Sequence, residues 1–161
     1  MADLKVTTRE ELTLNGYDQG ATNTLTISGI NELSKRIVTA TTTEAGLLGF
    51  LSALSNVGVT ANKVCYLAGI LDDGDVRYIR ITNLDGSNHI TLTFRDEDNT
   101  EFRMKVDAGH SFIYPGDNSG GLVDTMKAAG SALSSGLADL VDITVDADTA
   151  SCDVEVYVAS V

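Results

Sequence analysis

Apolar and polar residues alternate with a period of two along most of this chain, the pattern of strands with one buried and one wet face. It is clearest over Asp75–Tyr114. There Ile79 and Ile81 alternate with Arg80 and Thr82, and Ile90, Leu92 and Phe94 with His89, Thr91, Thr93 and Arg95. Phe102, Met104 and Val106 then alternate with Glu101, Arg103 and Lys105. The turns Asp85-Gly86-Ser87-Asn88, Asp96-Glu97-Asp98-Asn99 and Ala108-Gly109 separate these runs, and the last leads into Ser111–Tyr114. The segment predicts four antiparallel strands joined by three tight turns, a meander with one buried face.

The pattern extends toward both ends. Leu4, Val6, Leu12 and Leu14 predict a strand ending at Asn15-Gly16, a strong hairpin-turn signal, and Thr22–Ile30 returns with Leu25 and Ile27 on one face. Lys35–Thr43 reads as a third strand, and Val64–Leu71 as a short apolar one closed by Asp72-Asp73-Gly74-Asp75. Near the C-terminus Val141, Ile143 and Val145, then Cys152, Val154, Val156 and Val158, alternate with polar residues. Two stretches, 44–62 and 122–138, are ambiguous. In the first, Leu47, Leu48, Phe50, Leu51 and Leu54 fit a helical face, but Gly46 and Gly49 each weaken a helix by about 1 kcal/mol, so the preceding threonines favour a continuing strand. In the second, Leu133, Leu137 and Leu140 are helically spaced against Gly130, Gly136 and several serines, which predicts a short helical turn within an irregular crossing. The expected fold is all-β: a single domain over residues 1–161, built as a two-sheet antiparallel β-sandwich of jelly-roll or Greek-key kind with nine or ten strands.

Composition agrees with this, since β-branched and turn-forming residues abound while Trp is absent and Pro occurs once. A chain of 161 residues is long enough to bury a real core. The net charge of −12 disfavours nucleic acid or an anionic bilayer as a partner. Arg77, Arg80, Arg95, Arg103 and Lys105 do cluster in the central strands, but acids are interleaved and no aromatic stacking platform accompanies them. They predict a solvated sheet face or a salt-bridged contact surface. The opening MADLKVTTREEL has no apolar signal-like run, and no segment approaches the ~18 apolar residues of a membrane helix. Synthesis in a cytosol is therefore expected, with Cys65 and Cys152 as small buried thiols rather than a disulfide. Their separation and surroundings offer no zinc spacing.

Candidate chemistry is sparse. A nucleophile needs a paired base, yet His89 and His110 each follow a turn, with no GxSxG elbow or paired acid. The acidic turns at Asp72–Asp75, Asp96–Asn99 and Asp146–Asp148 suit calcium in donor type, but counting from Asp96 puts Glu101 where an EF-hand needs Gly and Asp107 where it needs Glu. Gly116–Gly121 is glycine-rich without the Lys of a phosphate loop. The five tyrosines are scattered, and Phe94, Phe102 and Phe112 fall at inward positions, as core residues do. Neither catalytic, cofactor nor metal residues are predicted.

The runs YIRITNLDGSNHITLTF and FRMKVDAGHSFIY, with the ending ITVDADTASCDVEVYVASV, resemble small jelly-roll structural proteins of tailed bacteriophage virions, especially of marine phages. The resemblance rests on Val76–Tyr114 and Asp142–Val161, including the strand start Gly109-His110-Ser111-Phe112. It implies a non-enzymatic decoration or cement protein on the capsid exterior, made in the host bacterial cytoplasm and binding the major capsid protein and itself, often as a homotrimer. Residues 1–14 are then a candidate N-terminal contact arm. The alternative on the same sandwich is a tail fibre or spike module that binds host carbohydrate or receptor; a small β-sandwich enzyme ranks behind both.

Overall fold

The computed structural model of the chain describes residues 1–51, 66–97, 100–114, 120–123, 125–126 and 136–161. Among these residues there are thirteen strands and no helix. In order they are β1 (Ala2–Glu10), β2 (Thr13–Leu14), β3 (Tyr17–Asp18), β4 (Ala21–Ile30), β5 (Glu32–Ala40), β6 (Ala45–Leu51) and β7 (Ile70–Asp72). There follow β8 (Val76–Asn83), β9 (Ile90–Asp96), β10 (Glu101–Val106), β11 (Ser111–Tyr114), β12 (Leu140–Ala147) and β13 (Cys152–Ser160).

Two sheets form the body. The first has the order β11-β8-β13-β5 and the second β10-β9-β12-β6-β7, antiparallel throughout except for β6 and β7, which run parallel. Their inward residues make one core: Ile79, Ile81, Val154, Val156 and Val158 of the first sheet meet Leu47, Leu92, Phe94, Ile143 and Val145 of the second. Each such side chain, removed fully from water, contributes about 1.5–3 kcal/mol. The chain is an all-β protein with antiparallel sheets packed as a β-sandwich.

The connections nest. β5 pairs with β13 while β6 pairs with β12, and β8 pairs with β11 while β9 pairs with β10. Each set is a long hairpin folded over, one half in each sheet. This corrects the expected meander: its four strands exist, but they are divided between sheets. The reason lies in the corners. The Asn83 side-chain amide donates to the Asn88 and Val106 carbonyls at 2.8 and 3.2 Å, and the Asp85 carboxylate accepts the Ser87 and Asn88 amides at 2.7 and 2.6 Å. Backbone bonds from Asn83 N to His110 O and from Gly109 N to Asn83 O then stack the Asn83–Asn88 corner on the Asp107–His110 corner. A tight two-residue turn would have kept β8 and β9 in one sheet.

Of the two ambiguous stretches, Ala45–Leu51 is a strand, β6, though not a continuation of the threonine run: residues 41–44 break the strand after β5 and carry the chain to the other sheet, while 52–65 lie outside the described residues. The second stretch falls mostly outside them too; Leu122 is buried in the core, and Met126 and Ala138 form an isolated antiparallel bridge. The strand expected over Val64–Leu71 is shorter, Ile70–Asp72, because Tyr66–Gly69 precede it as irregular chain hydrogen-bonded to β6. Phe102 is also not core: β10 ends its sheet, so Phe102 is 45% exposed and stacks flat on buried Phe94 at 4.6 Å.

Candidate functional site

The most distinctive feature is outside the sandwich. β1 and β4 form a separate two-stranded ribbon, with Leu4 opposite Ile27, Val6 opposite Leu25 and Thr7 opposite Thr24. Its base is anchored: Ile27 and Ile30 bury themselves against Tyr78 and Ala159 on the outer side of the first sheet, flanked by Leu4, Val6, Leu25 and Val161. Beyond that base every residue from Thr7 to Thr24 is exposed, so the distal half stands away from the body. The segment 1–14, expected to reach out on its own, is one side of this ribbon.

At the tip, β2 and β3 make a small hairpin closed by Asn15 and Gly16, both with positive φ (53° and 81°), the geometry of the type I′ turn that Asn-Gly favours. Gly20 lets the ribbon resume behind it, since a Cβ there would fall 2.5 Å from the Glu10 carbonyl oxygen. The hairpin leaves three large apolar side chains in water: Leu12, Leu14 and Tyr17 are 54%, 56% and 73% exposed. Burying them against a partner is the one source of free energy this hairpin holds in reserve.

The predicted basic cluster is distributed over different surfaces. Arg77 is buried and donates to the Gly74 carbonyl at 2.6 Å. Arg80 lies on the outer side of the first sheet, 5.7 Å over the Tyr157 ring and paired with Glu155, which Lys35 also reaches at 3.1 Å. Those two cations hold the Glu155 carboxyl below its usual range. Arg95, Arg103 and Lys105 face outward from the second sheet. Here strand register aligns Gly49, Asp142, Arg95 and Glu101 in one row across four strands. Arg95 donates to Asp142 at 2.9 Å and also to Glu101, and Tyr66, whose ring lies over Gly49, reaches Asp142 at 3.4 Å. Burial raises the Asp142 pKa, with Arg95 pulling it back, and Asp142 Oδ1 has no hydrogen-bond partner among the described residues.

The sequence candidates for chemistry do not converge. His89 Nδ1 sits 3.5 Å from Asp148, and His110 Nδ1 lies 2.9 Å from the Ala108 carbonyl. Cys152 is buried with its thiol pKa pushed up, chiefly by that burial, while Cys65 lies outside the described residues. The acidic turns spend oxygens on their own backbone: Asp72 and Asp73 accept from Gly74 N, and Asp96 accepts from Thr100 N. Among the described residues no group of three or more His, Cys, Asp or Glu side chains is placed to hold a metal. Of the glycine-rich loop, 115–119 are outside the described residues.

A cavity of about 210 Å³ opens between the edge strands β10 and β11, walled by Phe94, Phe102, Phe112, Tyr114, Met126 and Ile143 among others. Phe112 tilts toward Phe94 at 4.9 Å. A groove of larger size, about 360 Å³, lies between β1 and the outer side of the first sheet, lined by Val6, Tyr78, Ile113 and Tyr157 with Lys5 and Arg80. The expected arm 1–14 already contains Leu12 and Leu14, whereas Tyr17 on the return side carries no such signal; the mostly polar residues of 7–13 and 21–24 are the sign in the sequence that this part packs on nothing.

A scan against family models, a search of curated proteins and a search of solved structures each return no match.

Proposed function

We propose that this chain is a non-enzymatic structural protein of a tailed-phage virion, which decorates or cements the capsid exterior by binding the major capsid protein and copies of itself, as a homotrimer. The observation that carries the reading is the anchored β1–β4 ribbon, whose tip presents Leu12, Leu14 and Tyr17 to solvent. A two-stranded arm with an apolar end is a device for gripping another protein surface, and both its long edges carry backbone groups that a neighbouring strand can pair.

Two further points favour it. The nesting of β5–β6 with β12–β13 around β8–β9 with β10–β11 supports a jelly-roll reading, an architecture frequent among virion proteins. The sequence runs that resemble phage structural proteins coincide with β8–β11 and β12–β13, the strands of that nest. The test is sedimentation of the purified protein with capsids stripped of accessory proteins. Saturable binding that makes the capsids more resistant to heat is expected. Absence of binding overturns the capsid role, and stabilisation by sugars or calcium would then favour the tail fibre or spike module.

A further inference from the structure

We infer that the ribbon tip of one copy seats in a groove on the outer side of the first sheet of a second copy, so that this chain associates with itself head to tail. The groove runs between residues 4–8 of β1 and the exposed part of the first sheet, with a volume of about 360 Å³, and is lined by Lys5, Val6, Arg80, Ile113 and Tyr157 among others. It offers apolar surface where the tip offers apolar side chains: Ile113 is 45% exposed, and the Tyr157 ring is flanked by Arg80.

Charge selects this pairing on a protein whose net charge of −12 otherwise repels its own copies. The tip, residues 9–20, carries Arg9 against Glu10, Glu11 and Asp18, and Arg9 is already paired with Glu11. The groove carries Lys5 and Arg80, with Lys35 beside Tyr157 in register, against the single carboxylate Glu155 that Arg80 and Lys35 share. An acidic apolar tip thus faces a basic apolar groove. A chain cannot fill its own groove, because the ribbon leaves the body at the groove's edge and its tip lies ~30 Å of extended chain further on. Each copy therefore has one tip and one groove free, and the contact is heterologous, a geometry that closes into rings when the rotation permits.

This names the self-contact within the assembly reading above, and rests on that reading only for its setting; its test contains no capsid. Sedimentation equilibrium of the full chain at about 200 µM, where a contact with a Kd in the tens of micromolar is mostly formed, should show association. About 0.5 M salt, which shortens the screening length to a few ångströms, should weaken it. The tip variant Leu12→Ser/Leu14→Ser/Tyr17→Ser and the groove variant Ile113→Glu alter only exposed side chains; each alone should weaken association at least about tenfold while its circular dichroism melt is unchanged. Mixed together they should form a 1:1 dimer and nothing larger, because only the intact tip of the groove variant can enter the intact groove of the tip variant. A wild-type monomer at that concentration, undiminished association of either variant, or a mixture that stays monomeric overturns the inference. A monomer that still binds capsids removes this contact and leaves the capsid reading standing; an oligomer that ignores capsids does the reverse.

Discussion

Replacing Arg95 by Met removes the only cation that Asp142 touches among the described residues. Asp142 is 6% exposed, one of its oxygens has no hydrogen-bond partner, and the other would keep only the long bond from Tyr66. Removing one partner of a fully buried pair costs about 3–5 kcal/mol, and Arg95, with its side chain 31% exposed, sits near the low end or below it, so about 2–3 kcal/mol is expected at pH 7. For a domain of this size that is a fall in Tm of roughly 5–10 °C. The loss depends on pH. Without Arg95, burial and Glu101 push the Asp142 pKa higher still above the usual carboxylate value of 3.8. Over the window from that value to the raised one the folded state binds more protons than the unfolded, so its stability falls as pH rises. The gap between wild type and Arg95→Met should therefore be smaller at pH 4.5 than at pH 7, and Asp142→Asn added to Arg95→Met should recover most of it at pH 7. Urea melts of the three proteins at both pH values measure this. A gap at pH 7 below about 0.5 kcal/mol, or one that does not change with pH, would refute the account, since an ordinary surface substitution behaves that way.

Other sites give further expectations. Gly49→Ala places a Cβ 2.6 Å from the Tyr66 ring, and overpacking of this kind costs about 1–3 kcal/mol; tyrosine near-UV circular dichroism should change, and an unaltered spectrum would mean that the ring does not lie on Gly49. Phe112→Ala removes one wall of the cavity between β10 and β11 and should cost about 2–3 kcal/mol in urea melts, less than a fully enclosed Phe because that space is already open. Glu155 has its pKa lowered by Lys35 and Arg80, so its contribution is present above the usual value of 4.5 and lost as pH falls through the lowered one; the stability difference between wild type and Glu155→Gln should close in that range, and a difference that persists at pH 2 would sink the ion-pair explanation.

How much of this was legible in the sequence depends on the range over which each feature is decided. Alternation is local, and it located β4, β5, β8 to β13 and the strand character of Ala45–Leu51. The Asn15-Gly16 turn was equally local, because two positive φ angles are a demand made on two residues. Partner choice is not local. Ile79 and Ile90 have the same pattern whether β8 lies beside β9 or across the core from it, and what decides is an Asn83 amide reaching Val106, 23 positions away. The row of Asp142, Arg95 and Glu101 has the same character: each reads singly as an outward polar residue, and only the joint register of β12, β9 and β10 sets the half-buried Arg95 between buried Asp142 and Glu101.

The ribbon shows the same division from the other side. Its turn could be read, whereas its detachment follows from a lack of inward-facing apolar residues between Thr7 and Thr24, the kind of signal that period-two counting passes over as a weak strand. A strand pair with nothing to pack on is marginal by itself in water, and this one is held by the five side chains at its base, Leu4, Val6, Leu25, Ile27 and Ile30, that pack with Tyr78 and Ala159. Deleting Met1–Thr8 is consequently no clean probe of an arm, since it would strip Leu4 and Val6 from that base and free β4 as well. Substitutions confined to Leu12, Leu14 and Tyr17 leave the anchor intact, so that a change in association reports on the tip alone.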